Sequence, residues 1–227
     1  MHKIPVFINN RDWLSSTRRQ VEILHGWNAE PVIVDNASTY PPLLEWYDFD
    51  CPARVIRLQS NYGPFAPFFA DVVPRQIDDG FFAVTDADLA ISTVPDDALY
   101  VLIAGLEKYP HHVKCGLSME TGDLPKDAPC TDMVRINEQA NCHRRLDDRY
   151  VEAPVDTTFA VYRNGETHFN ARKLSLRAGK PYTARHLPWY ITTSNITDEQ
   201  RYYLQHAETS GVRYTGYLKA TFCEATA

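Results

Sequence analysis

Pro5-Val6-Phe7-Ile8-Asn9-Asn10-Arg11-Asp12 is a short apolar run that stops abruptly in carboxamides and charges. Such a run, bounded by turn-forming residues, fits a buried strand, and the period changes straight after it. From Ser15 to His25, Leu14, Thr17, Val21 and Leu24 fall on one side of a helix that Gly26 ends. Pro31-Val32-Ile33-Val34 repeats the apolar run and stops in Asp35-Asn36. Pro41-Pro42 then opens a short helix reaching about Tyr47, since proline suits a first helical turn. Arg54–Leu58 reads as a third strand before Ser60-Asn61-Tyr62-Gly63, and Phe81–Val84 as a fourth before Thr85-Asp86-Ala87-Asp88. Pro95-Asp96-Asp97 supplies the acidic first turn of a helix whose Leu99, Leu102, Ile103 and Leu106 make one stripe. Val113–Leu117 is a fifth strand. This alternation predicts an α/β fold with a mostly parallel open sheet and helices on both faces.

The second half is less regular. Asp132–Leu146 is expected to be helical, Thr157–Tyr162 a strand and Asn164-Gly165 a tight turn. Thr197-Asp198-Glu199-Gln200 has the form of a capping box opening a helix toward Gly211. The reading is one compact unit over residues 1–227, with an open α/β half to about residue 118 and an α+β half from about 119 onward.

Composition narrows the function classes. With 44% hydrophobic and 23% charged residues, the chain is ordinary for a globular protein. A formal charge of −6 argues against nucleic acid, whose phosphates call for a basic stripe. Five cysteines without C-x-x-C spacing read as free thiols; Cys142-His143 alone places two zinc-type ligands together. Ile4–Ile8 is too short an apolar run for a signal peptide, and Leu99–Leu106 is far short of a membrane span. The expectation is a cytoplasmic protein with no transmembrane segment.

Open parallel sheets bind ligands beyond the carboxyl ends of their strands. Each of the first four strands delivers Asn or Asp to that edge. Such residues also serve simply as turn formers, but four in succession are harder to explain that way. No G-x-G-x-x-G follows the first strand and no P-loop motif occurs, so a phosphate ligand would need a cation. Asp86 and Asp88 suit one, because residues two apart in extended backbone point the same way. The second D-x-D, Asp48-Phe49-Asp50, follows a helix and reads as a turn.

Read together, Pro5–Asp12, Ile33-Val34-Asp35-Asn36-Ala37-Ser38, Asn61-Tyr62-Gly63 and Val84-Thr85-Asp86-Ala87-Asp88-Leu89 resemble the nucleotide-binding half of GT-A-fold glycosyltransferases close to family 2. Pro154–Ala160 and Ala184–Tyr190 resemble later blocks of small bacterial members. The resemblance implies a GT-A-type, Rossmann-like sheet and a nucleoside-diphosphate sugar, UDP-linked, as donor. It implies that Asn9, Arg11 and Asp35 contact the nucleoside, and that Asn61 lies near ribose or diphosphate. Asp88 would ligate the metal, Asp86 would approach the ribose or the metal's water shell, and His186 would complete the metal site. Oxygen ligands with one imidazole favour Mn²⁺ over Mg²⁺.

Transfer to an acceptor hydroxyl on a glycan or other molecule also needs a base. Asp156 is the candidate, with Glu152, Asp147 and Asp148 as competitors, and a single base fits inversion at the anomeric carbon. Leu187-Pro188-Trp189-Tyr190 would either stack on a sugar or join the core. The rival readings are a phosphohydrolase using Asp86 and Asp88, and a degenerate GT-A protein that binds nucleotide or glycan without turnover. Sugar nucleotidyltransferases share the architecture, but their glycine-rich loop is replaced here by Asn9-Asn10-Arg11-Asp12.

Overall fold

The computed structural model describes residues 3–73, 80–141, 144–165, 174–208 and 213–224. Cys142-His143 and Gly211 lie outside the described residues. Strands β1 (Ile4–Asn10), β2 (Ala29–Asp35), β3 (Arg54–Arg57) and β4 (Phe81–Asp86) match the four apolar runs read from the sequence. They pair in parallel in the order β3-β2-β1-β4. The sheet continues through β9 (Ala160–Arg163), β6 (Lys114–Met119), β10 (Ser175–His186), β8 (Tyr150–Glu152) and β7 (Arg144–Arg145). Of these strands, β9, antiparallel to both β4 and β6, and β8, antiparallel to β10, run against the direction that the others share. A two-residue strand, β5 (Leu89–Ala90), pairs with the end of β10. The result is a mixed α/β fold with a largely parallel central sheet, as the sequence pattern requires.

Helices lie on both faces, unequally. On one side, α1 (Ser15–Gly26), α2 (Pro41–Phe49) and α4 (Ala98–Lys108) join Val6, Ile8, Ile33 and Ala83 in the larger core. Phe7, Val32, Phe82 and Val84 point the other way, as the two-residue period of a strand demands. Among the described residues, that second face is covered by Phe68 of α3 (Ala66–Phe69), by Val72 and Val73 just after it, and by Val155 of the segment between β8 and β9. The α4 stripe is buried through Leu99, Leu102 and Leu106. The helix itself begins at Ala98, so Asp96 and Asp97 precede its first turn rather than form it.

Two expectations for the second half are corrected. Helix α5 (Thr131–Ala140) stops short of Leu146, because Arg144–Arg145 pairs with β8 around a turn in which Asp147 Oδ1 accepts the Arg149 and Tyr150 amides. Thr157 lies in a loop, and the strand starts only at Ala160. Gly165, with φ of 83°, makes the expected turn after β9. The capping box is present, Thr197 and Gln200 bonding reciprocally at the start of α6 (Asp198–His206). Helix α7 (Arg213–Lys219) and a π-turn (Ala220–Glu224) follow.

The segment from Ala153 to Phe159 crosses the second face and carries Asp156 toward the strand ends. It fits because Gly116 of β6 has no side chain. A Cβ there would stand 2.7 Å from Val155 Cγ1 and 2.9 Å from the Phe159 carbonyl oxygen. Gly116→Ala is therefore expected to cost about 1–3 kcal/mol, as overpacking does in a close-packed core. Urea denaturation should show it as a lower midpoint with an unchanged slope. No helix among the described residues is long and apolar enough to cross a membrane.

Candidate active site

Strand register assembles the site. The β1–β2 ladder sets Asn10 beside Asp35, and the β1–β4 ladder sets Asn9 beside Asp86. The β5–β10 pairing brings His186 opposite Leu89, one residue past the D-x-D. Residues from five strands thus meet at one edge of the sheet.

The first two loops brace each other. Asn10 is fully buried and serves the fold: its Nδ2 donates to the Trp13 carbonyl and, at 2.8 Å, to the Tyr47 hydroxyl. Asp12 sits in the left-handed region at φ 60°. It is held there by its amide donating to Ser38 Oγ and by its carboxylate accepting the Thr39 and Tyr40 amides at 2.6 and 2.8 Å. A non-glycine residue in that conformation persists only when its surroundings hold it. Arg11 is half-buried, and its Nε, 4.0 Å from Asp12 Oδ2, is buried without a hydrogen-bond partner. Asp35 is 3% exposed, with Oδ1 unpartnered. Burial raises its carboxyl above the usual range, against hydrogen bonds from Ser38 and the charge of Arg57.

The third loop docks through Asn36, which the sequence reading left without a separate role. Asn36 Oδ1 accepts the Tyr62 amide and its Nδ2 donates to the Gly63 carbonyl, while Asn9 Nδ2 donates to the Pro64 carbonyl at 3.1 Å. Asn61 spends its own Oδ1 on the Gly63 amide at 2.9 Å and so shapes its turn. Asn9 keeps Oδ1 buried and unpartnered at the site.

The D-x-D turn carries the densest acidity. Asp86 is half-buried and accepts a 2.5 Å hydrogen bond from the Thr157 hydroxyl. Burial first, then the Asp88 charge, hold its carboxyl well above the ordinary carboxylate range, with Asp156 adding to the effect. Asp88 Oδ2 lies 3.3 Å from His186 Nε2, and both side chains are largely buried. Asp88 Oδ1 and His186 Nδ1 are buried without partners. The backbone locks this pair, since the Leu187 amide donates to the Asp88 carbonyl at 2.8 Å. Two of the three expected metal ligands therefore meet, while Asp86 turns to Thr157. Among the described residues, no three His, Cys, Asp or Glu side chains form a ready-made metal cluster.

Asp156 is exposed and stands near enough to Asp86 to act on its carboxyl. Its three sequence competitors lie elsewhere and are engaged: Glu152 with His112 and Arg144, Asp147 with Lys108 and Tyr109, Asp148 with Arg145. Asp48 of the second D-x-D pairs with Arg57 on the surface. Trp189 is buried, its ring packed on His186 and Tyr214, so the aromatic segment serves the core there.

Helix α6 supplies contacts that sequence reasoning missed. Glu199 accepts the Leu14 and Ser15 amides and the Ser15 hydroxyl at the start of α1. One turn on, Tyr203 packs against Trp13, and its hydroxyl is pushed up to about 12, by burial first and then by Asp88. A capping box predicts the helix but says nothing of where it docks. Two cavities of about 230 and 300 Å³ lie along α1, one of them reaching Leu89–Ser92 and Leu187. Neither is lined by the acidic residues of the site.

No family model matches the chain, and no curated protein matches it. Among solved structures it is similar to "S. aureus TarS 1-349", with 13% identity and a TM-score of 0.47 over 82% of this chain and 60% of that one. It is also similar to "S. aureus TarS 1-349 in complex with UDP", with 17% identity and a TM-score of 0.41 over 71% and 47%. The chain thus spans less than two thirds of either structure.

Proposed function

We propose that this protein is a glycosyltransferase that moves a hexose from a UDP-linked donor to an acceptor hydroxyl, using Mn²⁺ or Mg²⁺, with inversion at the anomeric carbon. The observation that carries the reading is the meeting of Asp88 with His186, beside Asp86, where β4 and β10 end. One carboxylate and one imidazole, each with a buried unpartnered polar atom, fit a hard-to-borderline divalent ion whose other positions go to donor oxygens and water. When bound between Asp88 and His186, such an ion would supply Lewis-acid stabilisation for a leaving diphosphate.

The chain's own residues supply the rest. Asn9, Arg11 and Asp35 line the side of the site where the nucleoside would lie, Asn61 shapes the loop beside them, and Arg11 brings a cation. Asp86, the first carboxylate of the D-x-D, is bonded to Thr157 and would meet the ribose or a water of the ion. Asp156 accepts the acceptor's proton as its oxygen bonds to the anomeric carbon and the bond to the diphosphate breaks. The acceptor is a glycan or another hydroxyl-bearing molecule. The four described cysteines are free thiols, which agrees with a cytoplasmic site.

A thermal-shift panel tests the reading. UDP-hexoses with manganese should raise the melting temperature, GDP-, CDP- and dTDP-sugars should do so less, and UDP should be released on prolonged incubation. Release of phosphate from simple esters, with no response to any sugar nucleotide, would establish the phosphohydrolase instead. A sugar-nucleotide shift without turnover, even with glycan acceptors supplied, would establish the degenerate binder.

A further inference from the structure

The D-x-D turn is short, carries two carboxylates and must not collapse around its own charge. Two side chains grip its backbone: the Thr85 hydroxyl donates to the Asp86 carbonyl at 3.2 Å, and Gln20 reaches further along the turn. Gln20, in the middle of α1 and 1% exposed, directs Nε2 at three carbonyl oxygens of the turn: Asp86 at 3.0 Å, Ala87 at 2.9 Å and Leu89 at 3.0 Å. Its own Oε1 is buried without a partner. A buried amide with an unsatisfied acceptor is costly, so the site keeps Gln20 for what the donor end does. From the other side the Leu187 amide takes the Asp88 carbonyl, so all four carbonyls from Asp86 to Leu89 are bonded or held in the β5–β10 ladder.

We propose that Gln20 is the positioning residue of the acidic turn: its amide fixes the carbonyls of Asp86, Ala87 and Leu89 and so sets the aim of the Asp86 and Asp88 carboxylates toward the divalent cation. The proposal rests on the metal-dependent reading of the site. The two N–H groups of Nε2, shared among the three carbonyls, keep the turn backbone from rotating toward the cation or swinging the carboxylates away. Partners outside a metal's ligands typically change its affinity by about 10–100-fold when removed.

Manganese alone is the probe, titrated into the metal-free protein and followed by the electron paramagnetic resonance signal of the free ion. Gln20→Met keeps length and removes the donor; Gln20→Lys restores a donor of similar reach. Gln20→Met is expected to bind manganese at least tenfold more weakly than the parent, and Gln20→Lys within about threefold of it. In both variants, melting without metal serves as the structural control. Gln20→Met binding manganese like the parent, whatever its melting temperature, overturns the proposal. If Gln20→Met does not fold, Gln20→Lys decides: near-parental affinity supports the positioning role, and weak affinity or failure to fold overturns it. Asp88→Ala separates the two levels. If it binds manganese as the parent does, the metal reading itself fails; if it does not bind while Gln20→Met does, only the role of Gln20 fails.

Discussion

Asp88→Ala should abolish the manganese-dependent rise in melting temperature and lower kcat by a factor on the order of 10³, the scale of losing several kcal/mol of transition-state charge stabilisation. In the parent, a ligand present at about 100 times its Kd adds roughly 2.7 kcal/mol. For a chain of this length that is a shift of about 5–10 °C. The variant should lose the shift without losing the fold. Asp88 bonds the Leu187 amide through its backbone, which alanine retains, and Asp88 Oδ1 has no protein partner. His186 loses its 3.3 Å contact but keeps its packing on Trp189, and Asp86 and Tyr203 lose only the nearby Asp88 charge. Differential scanning fluorimetry with and without manganese and donor checks the first part, and UDP release checks the second. A full response to metal in Asp88→Ala would remove the site from the mechanism.

Asp156→Asn is expected to act on a different constant. Loss of a general base typically costs about 10²–10⁴ in rate. Asp156 is exposed and is not among the proposed ligands, so donor KM, manganese affinity and stability should stay close to the parent values. Steady-state kinetics with an acceptor supplied give the split. A fall in kcat alone marks an interaction made in the transition state. A rise in KM with kcat intact would mark Asp156 as a binding group and leave the base unassigned.

The two variants probe parts of the site that were legible to different degrees. Asp86 and Asp88 could be read because an apolar run announces a strand and the residue after it must lie at the sheet edge. Asp156 could be named only through resemblance, since a loop position carries no periodicity. It reaches the edge because the Ala153–Phe159 segment crosses the sheet over Gly116, a route no local pattern encodes. β10 was missed for a similar reason. Its pairing with β6 shifts register between Ala178 and Thr183, and the strand runs on past that irregularity to deliver His186 to its end.

The long-range bonds of Gln20, Asn36 and Glu199 were not legible either. Each of the three is an ordinary polar residue locally, and its importance lies in backbone groups 26 or more positions away, such as the Tyr62 amide that Asn36 accepts. From its amino acids alone, this chain declares alternating strands and helices, a parallel sheet and a row of polar residues at the strand ends. Hydrophobic period and turn chemistry are local, and they act within a few residues. Which polar groups face one another was settled only by strand register and by the docking of α6 on α1. Those contacts join distant segments, and their energy depends on geometry that exists only once the sheet has formed.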